Sequence, residues 1–238
     1  MIYADSATCQ PPYFTIPVDT IPGVYTNANV HIHLSSEHTV DGGFYPAEMH
    51  MVHLNEDGSR AAVLGTMIDV GAAFNNPIFE KYLQAWESVR AEVECGTCAV
   101  SEGAIDAGFR TTPYDMLESD DYYHYDGGLT TPPCSEIVWW NFNADSMIIS
   151  SDQYARLTYI ILNTHVEVDG ECTRYTVASE GGSTSRPVQP LNGRVVEKIC
   201  NRATKKGAKA VKSAKVGKTP KGMKVVKEMK AKKATRAL

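Results

Sequence analysis

Residues 29–54 carry two short alternating segments with a turn between them, and this pattern limits how that part of the chain can fold. His31 and His33 lie two positions apart, so on a β-strand both side chains point to the same face. The Thr-Val-Asp-Gly-Gly sequence of Thr39–Gly43 is typical of a tight turn. The second segment therefore returns antiparallel to the first and brings His50 opposite the pair.

Three neutral imidazoles on one sheet face are the ligand set of a catalytic zinc ion. They fill three corners of a tetrahedron and leave the fourth open, whereas a structural zinc site closes all four. The sequence therefore predicts that His31, His33 and His50 bind Zn²⁺. A lone His-x-His pair is common by chance, so the prediction depends on the motifs around it.

Three sequence blocks, in order along the chain, supply that context. They are NVHIHLSSEHTVDG and YPAEMHMVHLN within 29–55, YHYDGGLTTPPCSE over 123–136, and RPVQPLNGR over 186–194. Together they resemble the α-class carbonic anhydrases, and the resemblance extends over residues 20–196. Three ordered matches are far more specific than any one of them.

The resemblance implies a fold and an activity. The expected fold is mainly β with peripheral helices, built on a large, central, twisted and mostly antiparallel sheet with zinc at the bottom of a cone-shaped cleft. The expected activity is reversible hydration of carbon dioxide to bicarbonate and a proton, by attack of a zinc-bound hydroxide. Two alternatives stay open: a non-catalytic carbonic anhydrase-related binding or matrix protein, and an inactive, truncated zinc-binding domain.

The resemblance also implies roles for polar residues near the metal. Thr130 takes the place of the threonine that accepts the hydroxide proton in a hydrogen bond and donates its own to Glu37. Thr131 would contact the departing bicarbonate, and Glu48 matches the carboxylate that orients His50. Without the motifs, Thr130 would be interpreted only as a turn residue and Glu37 only as a surface carboxylate.

Other positions complete the expected site. Asn29 precedes His31 where a glutamine is usual, so its amide oxygen can still accept the imidazole proton but reaches one methylene less far. His38 and His53 are interpreted as structural, hydrogen-bonded histidines. Carbon dioxide is apolar, and the matching pocket positions, each also suited to an ordinary core, are Val52, Val63, Leu129, Val138 and Trp140.

The chain departs from the family pattern in two places. Leu34 and Ser35 replace the usual tryptophan and glycine, which changes the packing behind the site without removing a ligand. Only thirty residues precede His31, and none of them is histidine. We therefore expect either that the sequence is truncated at its N-terminus or that the domain has lost N-terminal elements of the family, including edge strands and the histidine that shuttles protons to solvent.

Periodicity in the sequence predicts the main elements. Alternating apolar segments predict strands over Val30–Leu34, Glu48–Leu54, Ala61–Val70, Ile137–Asn143 and Met147–Ile149. Helical spacing predicts helices over Pro77–Arg90 and Ser151–Leu162. The cluster Ser150-Ser151-Asp152 favours a helix start there, with Gln153 in the first turn.

The net charge of −5 conceals an uneven distribution. Residues 1–193 carry a net charge of −19, whereas residues 194–238 carry +14. The basic segment is rich in Lys with Ala, Gly and Val and lacks aromatic residues. This composition predicts a folded domain over 1–200 and a disordered tail over 201–238 that can contact a polyanion.

Cysteine content and hydropathy bear on the compartment. Six cysteines and the resemblance favour a secreted or organelle-lumenal protein, although residues 1–6 show no signal-peptide pattern. No apolar run approaches the length of a transmembrane helix. Cys95 and Cys98 are interpreted as a loop disulfide or two ordinary thiols. Many secreted family members pair the cysteine that Cys134 matches with one near the N-terminus, for which Cys9 is the N-terminal candidate in this sequence.

Overall fold

The computed structural model describes residues 13–16, 23–93, 113–117 and 121–200. The strands in these ranges are β1 Tyr13–Ile16, β2 Gly23–Leu34, β3 Ala47–Leu54, β4 Ala61–Val70, β5 Tyr122–Gly127, β6 Val138–Asn143, β7 Met147–Ile149, β8 His165–Val168, β9 Glu171–Arg174 and β10 Glu197–Ile199. The helices are α1 Pro77–Val93 and α2 Ser151–Asn163, with a 3₁₀ turn at Pro113–Met116.

One eight-stranded sheet dominates the fold. Its strand order is β1-β2-β3-β4-β6-β5-β10, with β7 added beside β4, while β8 and β9 form a separate hairpin. All pairings are antiparallel except those of β4 with β6 and with β7. The prediction of a mainly β fold with a large, mostly antiparallel sheet is confirmed.

The predicted strands and helices agree with the structure to within a few residues, except that β2 begins at Gly23 rather than Val30. The first half of β2 is rich in polar residues, which hid its strand character. Strand β5 was not predicted, because its Tyr-Tyr-His-Tyr sequence is half-buried throughout and shows no apolar alternation. The predicted start of α2 is confirmed: Ser150 Oγ accepts from Gln153 N at 3.1 Å, and Gln153 Oε1 accepts from Ser150 N at 3.3 Å.

The two faces of the β2–β3 hairpin carry different kinds of side chain. Val30 and Leu34 on β2, with Met49 and Met51 on β3, belong to the apolar cluster that packs against both helices. His31, His33 and His50 point to the opposite face, because successive side chains on a strand alternate. The helices therefore cover one side of the hairpin, and the histidines lie on the other side.

Residues 201–238 lie outside the described residues, so the boundary at 200 and the polyanion contact of the tail stay predictions. Neither helix in the described ranges is long and apolar enough to cross a membrane.

Candidate metal centre

The hairpin of β2 and β3 sets the register of the three histidines. His31 pairs directly with His50, and His33 pairs with Glu48. In the turn, Asp41 and Gly42 both have positive φ, at 51° and 79°, which is the backbone of a type I′ turn. The predicted antiparallel return and the placement of His50 opposite the pair are confirmed.

The three imidazoles converge on one point. Their ring centroids are 4.9–5.1 Å apart, and His31 Nε2 lies 3.3 Å from His50 Nδ1. One nitrogen from each of His31, His33 and His50 lies within 4.8 Å of the other two. His50 and His33 are buried and His31 is half-buried, so the site is sheltered from bulk solvent.

The other nitrogen of each ring has a hydrogen-bond acceptor. His31 Nδ1 lies 2.7 Å from Asn29 Oδ1, and His50 Nε2 lies 2.5 Å from Glu48 Oε1. His33 Nδ1 donates to the backbone carbonyl of Thr184 at 3.2 Å. A ring nitrogen that faces an acceptor carries the proton, so these contacts leave the three converging nitrogens with free lone pairs.

The donor set fits a zinc ion. His33 Nε2 is buried and has no hydrogen-bond partner among the described residues, which is costly unless a ligand uses the lone pair. Burial, followed by the rings of His50 and His33, lowers the pKa of His31 to about 2. Burial and the ring of His50 also lower the pKa of His33. Neutral imidazoles in an open tetrahedral set are ligands that zinc prefers.

Glu48 is the hub of the surrounding hydrogen bonds. Its Oε1 accepts from His50 Nε2 at 2.5 Å and from His38 Nδ1 at 2.8 Å. Its Oε2 accepts from the backbone N–H groups of Glu37 and His38 at 3.0 and 2.9 Å. Burial alone raises the pKa of Glu48, but the hydrogen bonds from His38 and His50 outweigh it and hold the pKa well below its usual range.

His38 extends this network away from the metal position. Its Nε2 lies 2.5 Å from the hydroxyl of Tyr125, whose pKa burial raises, so the hydroxyl is the donor. His38, Glu48 and His50 could by distance alone hold a second ion. However, His38 Nδ1 and His50 Nε2 already donate to Glu48. This favours the structural interpretation of His38. His53 Nδ1 likewise donates to Ala62 O at 3.2 Å.

Arg186 hydrogen-bonds both Glu37 and Leu129, the residue before Thr130. Glu37 Oε1 accepts from the backbone N–H of Arg186 at 2.7 Å, and the Arg186 guanidinium donates to Leu129 O at 3.4 Å. Glu37 Oε2 is buried and lies 3.4 Å from His33 Nε2. This oxygen accepts no hydrogen bond from any described residue, so no hydrogen bond joins it to Thr130.

The five predicted pocket residues fall in one apolar cluster. Val63, Val138 and Trp140 are buried in it, and Val52 and Leu129 pack against it half-buried. The Trp140 ring centroid lies 4.8 Å from that of His50, so the cluster borders the metal centre. Thr131 is exposed.

The cysteines differ from expectation in one respect. Cys134 is a free thiol, unlike the matching cysteine of those secreted family members that pair it with one near the N-terminus. Cys172 is disulfide-bonded. Cys9, Cys95 and Cys98 lie outside the described residues.

Sequence reasoning missed three supporting residues. Tyr125 and Arg186 stand inside the quoted motifs, so the motifs could have indicated them. Thr184 acts on His33 through a backbone carbonyl, which no side-chain pattern reveals.

Replacing Asn29 with Ala is expected to lower zinc affinity by roughly 10–100-fold, because His31 loses the acceptor that orients its ring. Asn29→Gln keeps an amide acceptor and should bind zinc nearly as tightly as the parent. Competition with a chromogenic chelator measures both. The matched control is Asn27→Ala, since Asn27 contacts His53 instead. Parent-like affinity in Asn29→Ala would show that the ring needs no such partner.

The metal-free protein is expected to lose stability as pH falls below about 6.5. The pKa values of His31 and His33 are lowered in the folded protein, so both residues stay neutral there to a lower pH than in the unfolded chain. As pH falls below 6.5, protons bind preferentially to the unfolded chain, and the stability present above pH 6.5 is lost. His31 alone gives a slope of about 1.4 kcal/mol per pH unit. Glu48 adds a loss below about pH 4.5. Urea unfolding at several pH values tests this, and His31→Gln should flatten the slope; a pH-independent midpoint would contradict it.

The geometry agrees with comparisons to known proteins. The family model described as eukaryotic-type carbonic anhydrase matches residues 6–200. A carbonic anhydrase of Pectobacterium carotovorum is 30% identical over 190 residues, covering 76% of this chain and 65% of that protein. Carbonic anhydrase 1 of Mus musculus is 35% identical over 182 residues, covering 71% of this chain and 60% of that protein.

A solved structure gives the same result. The α-carbonic anhydrase of Thermovibrio ammonificans, in complex with the inhibitor sulfanilamide, is 32% identical with a TM-score of 0.52, covering 73% of this chain and 63% of that one. The chain thus spans 60–65% of the length of these three relatives. The match over residues 6–200 shows that the chain belongs to the eukaryotic-type, or α-class, carbonic anhydrase family.

Proposed function

We propose that this chain catalyses the reversible hydration of carbon dioxide to bicarbonate and a proton, with Zn²⁺ as its cofactor. The observation that carries the proposal is the convergence of three sheltered imidazole nitrogens whose opposite ring nitrogens are all hydrogen-bonded. A zinc ion bound there would lower the pKa of a bound water from about 15.7 to about 7 and so supply hydroxide at neutral pH.

The chain's own residues would orient the hydroxide that attacks carbon dioxide. Thr130 Oγ1 would accept a hydrogen bond from it and donate its own proton to Glu37 Oε2. That oxygen is suited to the role because it is buried, accepts no other hydrogen bond from the described residues, and lies 3.4 Å from His33 Nε2. The backbone N–H of Arg186 donates to the other oxygen, Glu37 Oε1. This bond restrains the carboxylate from rotating away.

Substrate would bind against the apolar cluster beside His50. Val52 and Leu129, the half-buried members, would offer carbon dioxide an apolar surface, with Val63, Val138 and Trp140 buried behind them. Thr131 is exposed next to Thr130, where it can contact bicarbonate as the product leaves. The apolar surface would concentrate the substrate, and the polar residues would set the direction of attack.

Stopped-flow hydration of carbon dioxide by the full chain tests the proposal. Zinc-loaded protein should hydrate carbon dioxide and chelator-stripped protein should not. The rate should rise with buffer concentration, because residues 1–30 contain no histidine to relay protons. One bound zinc without hydration would instead support a non-catalytic binding protein. Absence of both zinc and cooperative unfolding would support an inactive domain.

A further inference from the structure

The outer edge of β2 beside the metal centre is covered by a loop residue. Strand β1 pairs only with the beginning of β2, from Gly23 to Thr26. At the other end, Leu34 N donates to Thr184 Oγ1 at 2.9 Å, and Thr184 N donates to Leu34 O at 3.0 Å. Thr184 therefore takes the place of a neighbouring strand, with its hydroxyl standing in for a backbone carbonyl.

The same residue holds a metal ligand. The Thr184 carbonyl accepts from His33 Nδ1, and His33 directly precedes Leu34. Three hydrogen bonds thus join one loop residue to two consecutive residues of β2. Ser183 Oγ adds a weaker bond to Leu34 O at 3.3 Å. Thr184 belongs to no helix or strand, so these bonds are what fix its carbonyl against the imidazole.

We propose that the Thr184 side chain is a positioning element for His33. Its hydroxyl holds the loop to Leu34 and thereby keeps the Thr184 carbonyl at the ring, which fixes the imidazole with Nε2 toward the metal. Without the hydroxyl, the buried N–H of Leu34 loses its acceptor, and fewer hydrogen bonds hold the Thr184 carbonyl in place. Asn29 and Glu48 orient their histidines with their own side chains, whereas Thr184 acts through its backbone.

The test compares Thr184→Val, which removes the acceptor at nearly constant shape, with Thr184→Ser, which keeps it. The inference rests on the proposed function in requiring zinc at the three histidines. Zinc release to a chelator should be roughly 10-fold faster in Thr184→Val, an effect similar to the loss of a direct hydrogen-bond partner of a ligand ring. In Thr184→Ser the release rate should stay near that of the parent. Thr66→Val is the matched control, because Thr66 Oγ1 is buried without a hydrogen bond.

The outcomes separate this inference from the proposed function. A Thr184→Val protein that unfolds more easily but releases zinc at the parent rate would overturn the positioning role. If that variant does not fold, Thr184→Ala removes the same acceptor and should accelerate zinc release to a similar extent; release at the parent rate would overturn the inference. A parent protein that binds no zinc would overturn both the inference and the proposed function.

Discussion

Replacing His50 with Ala is expected to eliminate zinc binding at the three-histidine site and to reduce carbon dioxide hydration to the uncatalysed rate. His50 is 1% exposed, and its Nδ1 lies 3.3 Å from His31 Nε2, so no solvent-facing group can replace it. The loss of affinity should exceed the ~10–100-fold that removal of an outer hydrogen-bond partner costs, because a direct ligand is lost. Metal analysis after dialysis and stopped-flow hydration measure the two effects.

The control for this substitution is His165→Ala. His165 begins β8 in the separate two-stranded sheet, and its ring is bonded to Asn163 O. This variant should keep one zinc per chain and the parent rate. If His50→Ala also kept both, the metal would have to bind elsewhere, and the three-histidine site would be refuted.

Replacing Glu48 with Gln is expected to weaken both the fold and the metal site. Glu48 is fully buried and accepts four hydrogen bonds, two of them from histidine rings and two from backbone N–H groups. Gln has the same shape, but its NH₂ group would face two of those donors. Each donor left without a partner costs about 1–3 kcal/mol, and zinc affinity should fall roughly 10–100-fold because His50 loses its anchor.

Denaturant unfolding of the metal-free protein and chelator competition measure the two consequences separately. Glu80→Gln is the matched control, since Glu80 also accepts several hydrogen bonds but lies half-exposed in an ion cluster with Arg156. Such pairs contribute about 0–1 kcal/mol, and zinc affinity should not change. If Glu48→Gln matched the parent in both measurements, the Glu48 carboxylate would be needed neither for stability nor for zinc affinity.

Local patterns were sufficient to predict the hairpin and the histidine set. The spacing of His31 and His33, the Asp-Gly turn and the alternation through His50 are all properties of adjacent residues, and sheet geometry converts them directly into a shared face. The start of α2 was predictable for the same reason, because a capping box involves residues three positions apart.

Contacts between distant segments were not predictable in this way. The acceptor of His33 lies 151 positions away in a loop without regular structure, and a backbone carbonyl has no residue-type signal. The polar strand β5 was missed although its Tyr125 reaches His38. The pairing of Cys134 with an N-terminal cysteine was suggested only by the resemblance, and the Cys134 thiol is free.

The separation between His33 and Thr184 has a consequence for synthesis. His31, His33 and His50 leave the ribosome before Thr184, whose carbonyl accepts from His33 and follows it by 151 residues. At about 5–20 residues per second this delay is roughly 8–30 s. During that interval the nascent hairpin can present its histidines without the restraint of the finished fold. The restraint on His33 is therefore complete only after Thr184 has been synthesised.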